Sequence, residues 1–548
     1  MLSNLRYSLE GLLVTNDMRK LSILVCILVL ALQLMGIFDH SLWTPDEPRV
    51  AEISREMAAR GDFLIPHLSG RPFLEKPPVY FTVTGLLFTV FGTGNEGFGR
   101  LSSVFFALAT IAVVFFSLRT LVGEQVAALS TIVLATSFKF FEISHKMVVD
   151  IGLVFFIAAA MFFFLLAYEQ KLRRGYILFW ISISMAFLTK GIIGLAIPAA
   201  GLGIFVLWRR DFSLIKRIWF IPGALLVLGV MLIWGWVLYD RGGMEFVDTF
   251  YVYNQFGRFL HGSSYSGGHV RPFYFYIPTV LADAAPWSIL LIPAMITGWR
   301  TSTTSRFFTS WLAGGFILLS ISSTKRGLYF LPMFPAMAAL TGIWMSRFSV
   351  GKDAAWERIV LSIVLCIIWA ASILIPVAYV KIGGSWITAL ILAICLVVAC
   401  GIIWKSCRRH LPWAATLTWA ALIMISVPFV FPQIDEIKSY RPFFIDAGHI
   451  VQGKRVIGYS LTETVEALSP FYGRFFVESI EQEDRTLFMQ KLSAGEVEFA
   501  LVLPSRLDED LKGILETVGS RVLEINDDTR KQTQLWKLQT KQLMRRDT

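Results

Sequence analysis

Trp43–Tyr80 reads WTPDEPRVAEISREMAARGDFLIPHLSGRPFLEKPPVY and lies between two strongly apolar segments. It carries Asp46, Glu47, Arg49, Glu52, Arg55, Glu56, Arg60, Asp62, His67, Arg71, Glu75 and Lys76. So dense a charge cluster beside a first apolar run is either a solvated loop or the floor of a site. Its first part opens like a helix. Thr44 suits the N-cap, Pro45 the first helical position, and Glu47 the third position of a capping box. That helix is expected to run to Ala59 and stop at Gly61. Val50, Ile53 and Met57 recur at i, i+3 and i+7, a stripe that suits a helix lying on a membrane surface. Asp46 and Arg49 share its first turn and can face one another, while Arg55, Glu56, Arg60 and Asp62 are expected on the wet face of the helix and its exit.

The rest of the chain sets this stretch in context. Its 548 residues are 55% hydrophobic and 16% charged, with 45 Phe and 17 Trp. Soluble domains carry about 25% charged residues, so the composition is that of a polytopic membrane protein. The net charge of +10 follows from Lys and Arg gathered in short loops between spans, which removes the reason to expect nucleic-acid binding. Cys26, Cys366, Cys395, Cys400 and Cys407 lie in or beside apolar runs and form neither a disulfide framework nor a CxxC site. The run from Leu21, behind Arg19 and Lys20, reads as a first span with no convincing cleavage pattern after it.

Apolar runs of membrane-spanning length fall at 21–38, 98–118, 123–139, 148–168, 175–190, 192–208, 218–239, 275–297, 307–322, 327–346, 359–380, 386–405 and 412–431, about thirteen spans. The run 79–92 is shorter and suits an interfacial or re-entrant helix. With the N-terminus inside, the basic connections fall on the inner side. The first loop 39–97, the loops 140–147, 240–274 and 323–326, and the tail then face outward. The tail alternates strand-like stretches (GKRVIGYS, FFVESI, FALVLP, RVLEIN, TQLWKLQ) with helical ones at Thr462–Leu468 and Leu507–Val518. The expected fold is therefore a polytopic α-helical membrane domain, 1–432, followed by a small α/β extracytoplasmic domain, 433–548.

The outward polar residues narrow the chemistry. Asp46 is either a helix-terminus acid or a working carboxylate. Pro66, Pro72, Pro77 and Pro78 stiffen the loop that carries Glu75 and Lys76. Lys76 either meets a phosphate or snorkels to lipid head groups. Asp150 in HKMVVDIG is either an interhelical ion-pair member or a functional intramembrane acid. The loop 240–274 holds Arg258, His261, His269 and Arg271, and SSTKRGLYF places Lys325 and Arg326 on the outer side. Cations at a span mouth suit an anionic ligand, here a phosphate-bearing lipid.

TPDEPRVAEISREM, GDFLIPHLSGRPFLEKPPVYF, HKMVVDIG, HVRPFYFYIP and STKRGLYFLPMFPAMA together resemble bacterial glycosyltransferases of the protein-mannosyltransferase-like superfamily with the C-type fold. The branch they resemble most is the lipid A 4-amino-4-deoxy-L-arabinose transferases. The resemblance covers residues from about 40 to 340 and implies an undecaprenyl-phosphate sugar donor used on the periplasmic side of the inner membrane. It implies Asp46 as the essential aspartate, Asp150 as the second acidic position and Lys76 beside the carrier phosphate. Arg49, Arg271 and Arg326 complete the expected donor-phosphate group, with Glu75 and Tyr329 toward the substrate. Glu75 with His269, or with His261 instead, matches a divalent-metal site of one branch. No nucleotide cofactor is implied, and the chain is expected to act as a monomer. The alternatives are a transferase of the same superfamily with a protein or other glycan acceptor, and a transporter of polyprenyl lipids.

Overall fold

The computed structural model describes residues 18–257, 270–495, 497–525 and 532–538. These divide into two compact units. The first comprises residues up to Asp39, Leu74–Val83 and Arg100–Ile434; the second comprises His40–Phe73, Thr84–Gly99 and Asp435 onward.

The first unit is helical. Each of the thirteen expected spans falls on a helix or a bent helix pair. Among the described residues, seven helices are long and apolar enough to cross a membrane, or nine if each of two bent pairs is one span. Met18–Leu34, Arg174–Lys190 and Ile193–Arg209 have 17 residues each. At 1.5 Å per residue they fall a little short of a hydrocarbon core of about 30 Å. The bent pairs are Glu124–Thr136 with Phe138–Ser144, at 69°, and Phe273–Asp283 with Ser288–Trp299, at 107°.

Both bends have local causes. At the first, the Thr136 and Ser137 hydroxyls bond back to the carbonyls of Ile132 and Val133, the side-chain competition that bends helices. At the second, Pro286 has no N–H to carry the ladder on. The two bends meet: Phe138 N–H donates to Ala285 O at 3.1 Å and the Trp287 indole donates to the Thr136 hydroxyl at 3.0 Å. Elsewhere small residues let helices close up, as membrane helices do without a strong hydrophobic drive between them. A Cβ on Gly314 would lie 2.5 Å from the backbone of Ala200 and Gly201.

The second unit joins the island helix to the tail. The helix runs Glu47–Arg60 and ends at Gly61, whose φ of 66° is the left-handed conformation that glycine adopts freely. Its start differs from expectation. Asp46, not Thr44, is the N-cap, and the proline in the first turn is Pro48. Glu47 still serves the chain entry, accepting Trp43 N–H at 2.7 Å. Val50, Ile53 and Met57 are buried within protein, where helix Glu463–Tyr472 packs against the island helix. A two-residue hairpin follows, β1 (His67–Leu68) against β2 (Arg71–Pro72).

The tail holds five further strands: β3 (Val456–Tyr459), β4 (Val477–Ile480), β5 (Phe499–Val502), β6 (Gly519–Ile525) and β7 (Thr533–Leu538), ordered β4-β3-β5-β7-β6. β3 is parallel to β4 and β5, while β7 is antiparallel to β5 and β6. Ile457, Tyr459, Phe488, Ala500, Val502, Leu511 and Leu515 form its core. Every strand expected from sequence is present. Two helices, Arg441–Val451 and Arg485–Ala494, join the expected ones, found at Glu463–Tyr472 and Glu509–Val518. The boundary expected at 432/433 falls inside helix Leu411–Lys438.

Candidate active site

In the second unit, the first turn of the island helix brings Asp46 and Arg49 together. Arg49 Nη2 donates to Asp46 Oδ1 at 3.1 Å, and Arg49 Nη1 donates to Glu463 from the tail. The guanidinium also lies over the Phe73 ring, 5.6 Å from its centroid. A planar cation between two carboxylates and an aromatic face is held in orientation. Asp435 fixes the approach to this turn by accepting from Ser41 N–H at 2.9 Å and the Trp43 indole at 2.8 Å.

Further along the helix the expected wet face is wet only in part. Glu52 is buried and paired with Arg55 through two 2.7 Å hydrogen bonds. Glu56 is buried too, and both its oxygens accept Gly70 N–H at 3.1 Å. Arg60 and Asp62 do lie toward solvent. Loss of water around Glu52 pushes its pKa up to about 7, against the pull of Arg55.

In the first unit, Asp150 is buried at the start of helix Val149–Gln170 and pairs with Lys190. Asp150 is therefore a member of an interhelical ion pair. The Lys190 ammonium sits 4.7 Å from the centre of the Tyr329 ring, within cation–π range. Tyr329 lies on the short helix Gly327–Met333 that Arg326 opens. The loops carrying Arg271 and Arg326 are joined: Val270 pairs with Thr324, Arg271 N–H donates to Ser323 O at 3.3 Å, and Lys325 Nζ donates to Arg271 O at 3.1 Å. Arg271 is exposed and Arg326 half-buried. Glu75 and Lys76, both half-buried, follow Leu74, whose carbonyl accepts Asn254 Nδ2 at 3.2 Å.

The structure thus places Asp150, Tyr329, Arg271, Arg326, Glu75 and Lys76 in one unit and Asp46 and Arg49 in the other. His269, like His261 and Arg258, lies outside the described residues. No three His, Cys, Asp or Glu side chains converge as metal ligands among the described residues, so the Glu75 site does not gain a donor set there. Sequence reasoning missed Lys190, though a lysine interrupting an apolar run was its signal. It also missed a network at the two bends, where Glu142 takes Lys139 at 2.7 Å and Lys146 at 2.5 Å, and Lys139 reaches Asp283 at 3.7 Å. Glu463 carried no signal, being far from Arg49 in the chain.

Comparison with known proteins bears on the fold and the family. Residues 18–246 match the family described as dolichyl-phosphate-mannose-protein mannosyltransferase. The undecaprenyl phosphate-alpha-4-amino-4-deoxy-L-arabinose arabinosyl transferase of Edwardsiella ictaluri is 32% identical over 329 residues, covering 58% of this chain and 58% of that one. The match thus spans less than two thirds of that relative's length. The protein of the same description from Pectobacterium atrosepticum is 27% identical over 458 residues, 78% of this chain and 81% of that one. The crystal structure of ArnT from Cupriavidus metallidurans bound to undecaprenyl phosphate superposes with a TM-score of 0.75 at 22% identity, over 94% of this chain and 97% of that one. This protein has that fold, and it is a multi-pass membrane protein.

Proposed function

We propose that this chain, a member of the protein-mannosyltransferase-like superfamily, transfers a sugar from an undecaprenyl-phosphate donor to a cell-envelope acceptor. The transfer favoured is an aminoarabinose-type sugar onto a lipid A phosphate. The observation that carries the reading is the joining of the Arg271 and Arg326 loops beside Tyr329 and the Asp150–Lys190 pair. It gathers cations where apolar helices end.

The reaction breaks the bond between the sugar's anomeric carbon and the carrier phosphate. The carrier leaves as a phosphate monoester, so charge grows on phosphate oxygens. Lys76, Arg49, Arg271 and Arg326 are assigned to that charge, where preorganised cations lower the barrier most. Asp150 positions Lys190, and Glu75 and Tyr329 contact the sugar. An acceptor phosphate is already ionised near neutral pH and needs no base. Asp46 then orients the sugar and stabilises positive charge at its anomeric carbon. With a hydroxyl acceptor, Asp46 would instead act as general base, worth about 10²–10⁴-fold. No step is routed through a metal.

The architecture that goes with this reading has thirteen crossings of the inner membrane and the N-terminus inside. The catalytic first loop 39–97 of the membrane domain 1–432 is periplasmic, as is the α/β domain 433–548. The working unit is a monomer. The test is mass spectrometry of lipid A and envelope glycans from cells with and without the gene. Loss of a pentosamine on lipid A phosphate upon deletion supports the reading. An unchanged lipid A with a changed protein or glycan profile moves the acceptor, and no change in any glycan removes the activity.

A further inference from the structure

The helices Arg174–Lys190 and Ile193–Arg209 break immediately after the lysine that holds Asp150. A helix start leaves N–H groups without carbonyl partners. Here one of them, Ile192 N–H, is taken by the side chain of Gln255, whose Oε1 lies 3.0 Å away. The side chain fits only because residue 191 is glycine. Gly191 has φ 74°, and a Cβ there would stand 2.0 Å from Gln255 Oε1. The preceding residue, Asn254, faces another element. Its Nδ2 donates to Leu74 O at 3.2 Å, directly before Glu75 and Lys76, and to Thr249 O at 2.9 Å. Both amides sit on Asp248–Gly257, a segment wound as a π-helix, a winding that is rare at this length.

We propose that Asn254 and Gln255 are a pair of positioning residues that fix the Lys76 loop and the Lys190 break relative to each other. Asn254 acts as a donor to the loop and Gln255 as an acceptor from the break. The inference rests on the proposed transfer, since it assigns the pair to the placement of donor-phosphate and substrate groups.

The opposite roles make the test specific, because the same amide-to-acid change should be tolerated at position 255 and harmful at position 254. Gln255→Glu keeps an acceptor for Ile192 N–H and should transfer sugar like the wild type. Gln255→Leu removes it and should lower kcat about tenfold or more, the size of an orphaned hydrogen-bonding group. Asn254→Asp turns a donor into an acceptor facing two carbonyls, and should raise KM for the donor and weaken binding of undecaprenyl phosphate alone by about tenfold. Thermal unfolding in detergent checks that each variant is folded. Equal responses of the two acid variants, or wild-type behaviour of Gln255→Leu and Asn254→Asp in an active background, overturn the proposal. A wild type that binds undecaprenyl phosphate but transfers nothing defeats the transfer reading instead. The binding arm then still decides the pair, and a wild type that does not bind the carrier defeats both.

Discussion

Helix Glu47–Arg60 buries Glu47, Arg49, Glu52 and Glu56 in 14 residues, whereas helix Val149–Gln170 buries one ionisable side chain, Asp150, in 22. The first compensates its charges mostly from within. Arg49 takes Asp46, Arg55 takes Glu52 and Arg60 takes Glu56, all at i,i+3 or i,i+4. The second has no local partner to offer and relies on Lys190, forty residues away in the chain. A charge-dense helix can therefore be buried piecemeal, while a lone charge in an apolar helix commits the packing of a second helix. If the two regions serve one reaction, they should also fail differently when altered.

The largest difference should come from Asp46→Asn, which keeps shape and removes charge. Transfer is expected to fall by about 10²–10³-fold, with only a small loss in unfolding temperature, because Asp46 makes no side-chain cap bond to its helix and its partner Arg49 keeps Glu463. Turnover close to wild type would remove Asp46 from the reacting centre.

Asp150 should respond in both respects. Asp150→Leu strands the Lys190 ammonium among apolar helices, and breaking a buried pair costs about 3–5 kcal/mol. Replacing both partners, Asp150→Leu with Lys190→Met, should recover much of that stability while leaving transfer lost. Thermal unfolding and a transfer assay on the three proteins decide it. Recovery of activity together with stability would make the pair purely structural.

A smaller effect is predicted for Glu52, and it has a sign. Its folded pKa of about 7 lies above the ordinary 4.5, so between those values the folded state holds more protons than the unfolded one. Stability should fall as pH rises through that window, by about 3 kcal/mol in all, and this group should add no slope outside it. Glu52→Gln should flatten the profile between pH 4.5 and 7. A profile unchanged by that substitution would show that Arg55 keeps Glu52 ionised in the fold.

These contrasts also explain what could be read from sequence. Periodicity and length located the apolar runs and the tail strands, because each depends on residues adjacent in the chain. The Gly61 stop, the Asp46–Arg49 turn and the irregular backbone of the Glu75–Lys76 loop were legible for the same reason. Glu56 was misread as solvated because its partner, Gly70 N–H, belongs to a hairpin formed only by folding. The N-cap was misplaced because Thr44, Asp46 and Glu47 all suit a helix start, and spacing alone does not rank them. Lys190 was visible as an interruption, but its partner depends on how two long helices pack.

The smallest expected effect falls on Glu463, where the local economy of the island helix meets a distant partner. Arg49 contacts both Asp46 and Glu463, yet the Glu463 side chain is 49% exposed against 13% for Asp46. An exposed ion pair contributes about 0–1 kcal/mol, so Glu463→Gln should barely move the unfolding temperature. It leaves Arg49 anchored by Asp46 and over the Phe73 ring, but with one carboxylate fewer to satisfy. If Arg49 serves the carrier phosphate, that variant should bind undecaprenyl phosphate at least as tightly as the wild type, because the phosphate no longer competes with Glu463 for the guanidinium. Arg49→Lys, which loses the planar fork, should bind it less well. Weaker binding in Glu463→Gln would instead mean that the tail carboxylate holds Arg49 in its working orientation, and that the charges of the island helix are not compensated locally where the chemistry needs them.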